Sequence, residues 1–192
     1  MGSRFDDEIW SMLPEEPRPP AAQVVRFVTG LPASDSVLDL GCGDGRLTTA
    51  LHWERLVAAD VSGLALERVR RRVPEAELVL LDADAPLPLA DNAFDLVLCA
   101  ETIEHVRDVQ LLVSEIRRVL RPGGRLALTA PAHGRLTGLA IALRGFERGF
   151  DPLSPHLRFF TRRSLAALLA DMGFEVESLV TRAGTLLAVA TR

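Results

Sequence analysis

Between residues 36 and 129 the chain alternates short, almost wholly apolar runs with amphipathic stretches of about ten residues. Ser36–Leu40 (SVLDL), Leu56–Val61, Glu77–Leu81, Phe94–Ala100 and Arg125–Thr129 read as strands. Arg46–Trp53, Leu64–Val73 and Val109–Leu120 read as the helices between them, the last closed by Pro122, Gly123 and Gly124. A strand that is apolar on both faces has to be covered on both, and helical crossovers join strands in parallel. The pattern therefore predicts an α/β chain: a mostly parallel sheet with helices on both faces. The ending differs, with a helix over Ser164–Met172 capped by Gly173, then strands Phe174–Val180 and Leu186–Thr191 joined near Ala183 and Gly184. Such a C-terminal hairpin makes one strand antiparallel.

Ahead of the repeat, residues 1–20 read as a mixed segment and a Pro-rich connector (PEEPRPP), and 21–192 as the domain proper. A helix with Ala21, Val24, Val25 and Val28 on its apolar face opens that domain. At 192 residues and 48% hydrophobic composition, one core is expected. All basic side chains are Arg, and the chain has neither Lys nor Tyr. A Walker-type phosphate loop and Schiff-base chemistry both need a Lys, so both are excluded. The net charge of −4 has the wrong sign for a nucleic-acid binder. The first residues lack the basic start and apolar stretch of a signal peptide, and a cytoplasmic protein is expected.

The first strand runs into a glycine loop, VLDLGCGDG, and Asp60 ends the next strand about 20 residues after Gly41. That spacing suits a carboxylate that takes two ribose hydroxyls. Arg46 stands where a dinucleotide fingerprint wants a small residue, and Asp39 and Asp44 would repel a pyrophosphate. A cationic or zwitterionic ligand suits the loop better.

These blocks resemble the class I S-adenosylmethionine-dependent methyltransferases: DLGCGDG with Asp60, then residues 80–106 (LLDADAPLPLADNAFDLVLCAETIEHV), 120–131 (LRPGGRLALTAP) and 156–176 (HLRFFTRRSLAALLADMGFEV). The match runs from about residue 21 to the end of the chain, and its Glu101–Val106 stretch, ETIEHV, looks most like enzymes that methylate quinone precursors, sugars or other secondary-metabolite hydroxyls. It implies a Rossmann-like, seven-stranded sheet and S-adenosylmethionine as cofactor. By the resemblance Asp39, Gly41, Cys42 and Gly43 would surround its methionine part, with Ala100 and Glu101 lining the same side. Asp60 would hold the ribose, Asp82 the adenine amino group, and the Ala83 backbone the ring edge.

His105, four residues after Glu101, is the candidate base for a hydroxyl acceptor. His133 and His156 flank a segment where the family builds substrate pockets. A metal site would need two of these histidines and a carboxylate to converge, no local spacing demands it, and no metal is expected. Cys42 has no activating base beside it, and Cys99 reads as a strand residue. The run Arg68, Arg70, Arg71, Arg72 reads as a solvated helix surface. Residues 132–160 read as a cap or lid. Leu136, Leu139, Leu143, Phe146 and Phe150 form a stripe that covers the acceptor pocket or dips into an anionic membrane surface. The expected function is methyl transfer to a hydroxyl or carbon of a small metabolite by a monomer or homodimer, without nucleic acid. A cofactor-binding partner or degenerate paralogue without its own chemistry is the rival, and an NAD-dependent oxidoreductase is disfavoured by Arg46, Asp44 and the missing Lys and Tyr.

Overall fold

A computed structural model describes residues 2–83, 85–134 and 156–192. The elements are α1 (Gly2–Met12), α2 (Ala22–Thr29), β1 (Ser34–Leu40), β2 (Trp53–Asp60), α3 (Gly63–Arg72), β3 (Glu77–Leu80), β4 (Phe94–Ala100), α4 (Val109–Val119), β5 (Leu120–Pro131), α5 (Arg162–Asp171), β6 (Glu175–Arg182) and β7 (Thr185–Thr191). The seven strands form one sheet in the order β3-β2-β1-β4-β5-β7-β6. β3, β2, β1, β4 and β5 pair in parallel, while β7 runs antiparallel to both β5 and β6. The predicted architecture is observed.

Strand residues alternate between faces, and here both faces are apolar. Leu38, Val57, Val97, Cys99, Leu126 and Leu128 pack with Val113, Ile116 and Val119 of α4 and Leu165 and Leu169 of α5. Val37, Leu56, Ala58, Leu96, Leu98 and Ala127 pack with Val24 and Val28 of α2 and Leu66 and Val69 of α3. Local chemistry sets where the helices begin. The Ser62 hydroxyl accepts from the Ala65 N–H at the start of α3, and Asp108 accepts from the Leu111 N–H at the start of α4. Thr161 and Ser164 form a reciprocal capping box on α5.

Two expectations are corrected. No helix spans Arg46–Trp53. A single 3₁₀ turn, Thr48–Ala50, follows the loop, and Trp53 already belongs to β2. Thr48 is committed inward, its hydroxyl donating to the Asp39 carboxylate at 2.6 Å, and the β-branched Thr48-Thr49 pair favours helix weakly. Second, α4 runs straight into β5, which starts at Leu120 and takes in Pro122–Gly124, with Gly123 in the left-handed region at φ +78°. The irregular pairing between Phe94 and Leu96 absorbs these residues as a bulge. The cap stripe from Leu136 to Phe150 lies outside the described residues. No helix among the described residues is long and apolar enough to cross a membrane.

Candidate active site

The carboxyl ends of the parallel strands converge on the glycine loop, the edge where open α/β sheets bind ligands. Asp39 and Leu40 end β1, and the chain turns through Gly41 and Gly43 with φ of +74° and +54°. The Gly41 and Cys42 N–H groups both donate to the Ala59 carbonyl of β2. Asp60 then locks the loop from the next strand. One carboxylate oxygen accepts from the Gly43 N–H at 2.9 Å, and the other from the Ser62 N–H at 2.9 Å. Asp39, Asp44 and Asp60 are all buried. Burial, opposed by the Thr48 hydrogen bond and aided by the Asp60 charge, pushes Asp39 up to about 7. Burial, with help from Asp39 and Asp60, holds the Cys42 thiol well above its ordinary value, so it is no nucleophile. Asp44 is balanced by Arg46 at 2.7 Å.

Asp82 and Ala83 are exposed just past β3, whereas Ala100 is buried at the end of β4. Glu101 follows with φ +51°, a strained value for a residue with a side chain. Its carboxylate accepts from the Thr129 hydroxyl at 2.7 Å. All the residues assigned to the cofactor by resemblance thus lie at or just beyond the same strand ends.

Residues 2–12, read from sequence as a mixed segment, are helical and sit on this edge. Asp7 accepts from the Ser62 hydroxyl at 2.6 Å and from the Leu64 N–H at 3.2 Å, extending the cap of α3. The Trp10 indole covers Gly43, where a Cβ would meet it at 3.2 Å. The arginine run is therefore not merely solvated. Arg68 donates to the carbonyls of Trp10, Leu13 and Pro14 and lies 5.3 Å above the Trp10 ring, while Arg71 and Arg72 pair with Glu15 and Glu16. Sequence could not reveal the partners of Arg68, because backbone carbonyls leave no mark in residue type. Arg68→Ala should raise hydrogen exchange over residues 7–12 by roughly 5- to 30-fold, as 1–2 kcal/mol of docking is lost. Sheet amides and the exposed control Arg70→Ala should be unaffected; unchanged exchange in α1 would show that Arg68 does not hold it.

On the other side of the loop, Thr102 bonds the Ala100 carbonyl at 3.0 Å and leads into the 3₁₀ turn Ile103–His105. The Leu157 and Arg158 N–H groups both donate to the Glu104 carbonyl, which seats residues 156–158 on that turn. His105 and His156 meet edge to face, ring centres 4.8 Å apart. His105 Nε2 lies 3.8 Å from the Glu104 carboxylate. Glu104 is 1% exposed, and burial pushes it up to about 7. Burial and the neighbouring His105 and His133 hold His156 below its ordinary value. His133 packs edge-on against Phe159. The convergence of two histidines and a carboxylate, which no spacing demanded, is present. Glu104 was the residue missed, and its place beside His105 in ETIEHV was the available signal.

Residues 38–128 match a family model described as a methyltransferase domain. A probable S-adenosylmethionine-dependent methyltransferase of Mycolicibacterium smegmatis is 36% identical over 76% of this chain and 54% of its own length. The chain belongs to the class I S-adenosylmethionine-dependent methyltransferases. The malonyl-acyl-carrier-protein O-methyltransferase of Methylococcus capsulatus is 35% identical over 74% of this chain and 53% of its own. The chain thus spans about half the length of the curated relatives it matches. A solved methyltransferase from Methanosarcina mazei shares the fold, with TM-score 0.69 and 21% identity over 91% of this chain and 99% of that one.

Proposed function

We propose that this methyltransferase domain moves a methyl group from S-adenosylmethionine to an oxygen or carbon of a small-molecule acceptor. The observation that carries the reading is the pair of buried carboxyl groups, Asp39 and Asp60, beside the glycine loop, Asp44 being paired with Arg46. This donor set fits the cofactor. Asp60 stands at the end of β2 against the glycine loop, its two oxygens on the Gly43 and Ser62 N–H groups, the place from which a carboxylate reaches ribose hydroxyls. The acidic surround suits an ammonium and a sulfonium and opposes a pyrophosphate. Asp39, Gly41, Cys42, Gly43, Ala100 and Glu101 would hold the methionine part, and Asp82 and Ala83 the adenine.

When bound, the cofactor supplies a methyl group on a positively charged sulfur, which recovers the bonding pair as the methyl leaves. This chain's part is to orient the two reactants, worth roughly 7–11 kcal/mol when attack is in line, and to dispose of a proton. We assign His105 to the acceptor side: a hydroxyl that becomes an ether loses its proton, and the imidazole takes it. The malonyl-acyl-carrier-protein O-methyltransferase relative supports oxygen as the accepting atom.

The test is binding of S-adenosylhomocysteine by calorimetry, with NAD as the comparison. Asp60→Asn should weaken it by about 10- to 150-fold, the worth of a charged hydrogen-bond pair. Asp60→Ala is the poorer probe, since it strands both the Gly43 and Ser62 N–H groups, whereas the Asn amide oxygen still accepts from one of them. Equal affinity for wild type and Asp60→Asn would remove the ribose assignment, and preference for NAD would remove the whole reading. Retained binding with no transfer to any acceptor would favour a cofactor-binding partner without its own chemistry.

A further inference from the structure

We propose that Glu104, His105 and His156 form a binding site for one first-row divalent cation, zinc above all. One potential ligand atom from each lies within 4.8 Å of the others. Zinc held at about 2.0–2.1 Å by tetrahedral ligands needs donor atoms about 3.4 Å apart. The His105–Glu104 separation of 3.8 Å is already close to that. Two imidazoles and a carboxylate select zinc and its first-row neighbours over magnesium or calcium, which prefer all-oxygen sites.

A second observation points the same way. Glu104 is among the most deeply buried charged side chains of the described residues, and its Oε2 has no hydrogen-bond partner among them. A lone buried carboxylate is costly unless it is protonated or meets a positive charge. No Lys exists in the chain to supply one, and no ion pair to an arginine is formed at Glu104 among the described residues. A cation would.

The tertiary structure builds the site deliberately from two distant segments. The twin hydrogen bonds from Leu157 and Arg158 to the Glu104 carbonyl fix His156 over the turn that carries the other two ligands. Arg158 also donates to the Arg107 carbonyl on the far side of the same turn. With three protein ligands, the cation keeps a coordination position open for water or for an oxygen of the acceptor. That last role rests on the reading of His105 as the acceptor-side residue and changes its part there. A metal-bound imidazole lone pair cannot take a proton, so the coordinated hydroxyl would lose its proton to water instead, its acidity raised by the metal.

Chelator-stripped protein titrated with zinc against a chromophoric chelator tests the site without reference to activity. One equivalent should bind, and cobalt in its place should give the absorption of a tetrahedral or five-coordinate ion. Glu104→Gln and His156→Asn should each weaken zinc by about tenfold or more, while His52→Ala should leave it unchanged. Circular dichroism and S-adenosylhomocysteine binding confirm that each variant is folded; if Glu104→Gln is not, His156→Asn decides alone. Absence of stoichiometric binding, or binding that ignores these substitutions, overturns the site. Neither outcome touches the cofactor reading, which S-adenosylhomocysteine calorimetry decides separately.

Discussion

Gly41→Ala should destabilise the chain by about 2–5 kcal/mol, the sum of a left-handed backbone forced on a residue with a side chain and an overpacked contact. The new Cβ would lie 2.9 Å from Thr102 Cβ and press harder still on the rest of that side chain. Thr102 cannot easily retreat, because its hydroxyl is bonded to the Ala100 carbonyl and lies near those of Leu40 and Gly41. Glycine at this position therefore serves the close approach of the β1 and β4 ends. Gly184→Ala is the matched control, with φ +81° but nothing within 4 Å of its Cβ. It should cost only the backbone part, about 1–2 kcal/mol. Urea unfolding of the two variants and of Gly41→Ala combined with Thr102→Ala separates the contributions, and the double variant should recover part of the loss. Equal costs at Gly41 and Gly184 would show that the loop tolerates a side chain against Thr102.

His105→Ala should lower turnover by about 10²–10⁴ while S-adenosylhomocysteine affinity stays within about twofold of wild type. The loss is expected whether the imidazole takes the proton itself or holds the cation that acidifies the acceptor. The split between turnover and cofactor binding is what matters. His105 lies past the end of β4 with Glu104 and His156, and the carboxylates assigned to the cofactor, Asp39 and Asp60, lie on β1 and β2. A general loss of folding would lower both quantities. Full activity in the variant would make His105 a packing residue, or the acceptor one that needs no proton removed.

The glycine loop shows how far residue spacing reaches. The separation of Gly41 from Asp60 was enough to anticipate that loop and carboxylate belong together, and Asp60 does bond Gly43 directly. What spacing could not show is that the space over Gly43 is taken by Trp10, from a stretch read only as a mixed segment ahead of the domain. A substitution at Gly43 would therefore displace α1 before it met any ligand.

The strands and most helices were legible because burial on both faces, or on one stripe, is recorded in the periodicity of neighbouring residues. Phe94–Ala100 and the start of α4 at Val109 were read residue for residue, and the cap residues Asp108 and Thr161 mark their helices chemically. The missing helix at Arg46–Trp53 was illegible for the converse reason: a long-range bond from Thr48 to Asp39 overrides local spacing there. Sequence by itself determined the doubly covered sheet, the antiparallel ending, the acidic glycine loop and the chemistry excluded by the absence of lysine. Only the tertiary structure decided that the arginines of α3 hold the N-terminal segment, and that His156 comes to rest against His105 and Glu104. Such partners lie some fifty residues apart, and the path of the intervening chain, not any local pattern, sets whether they meet.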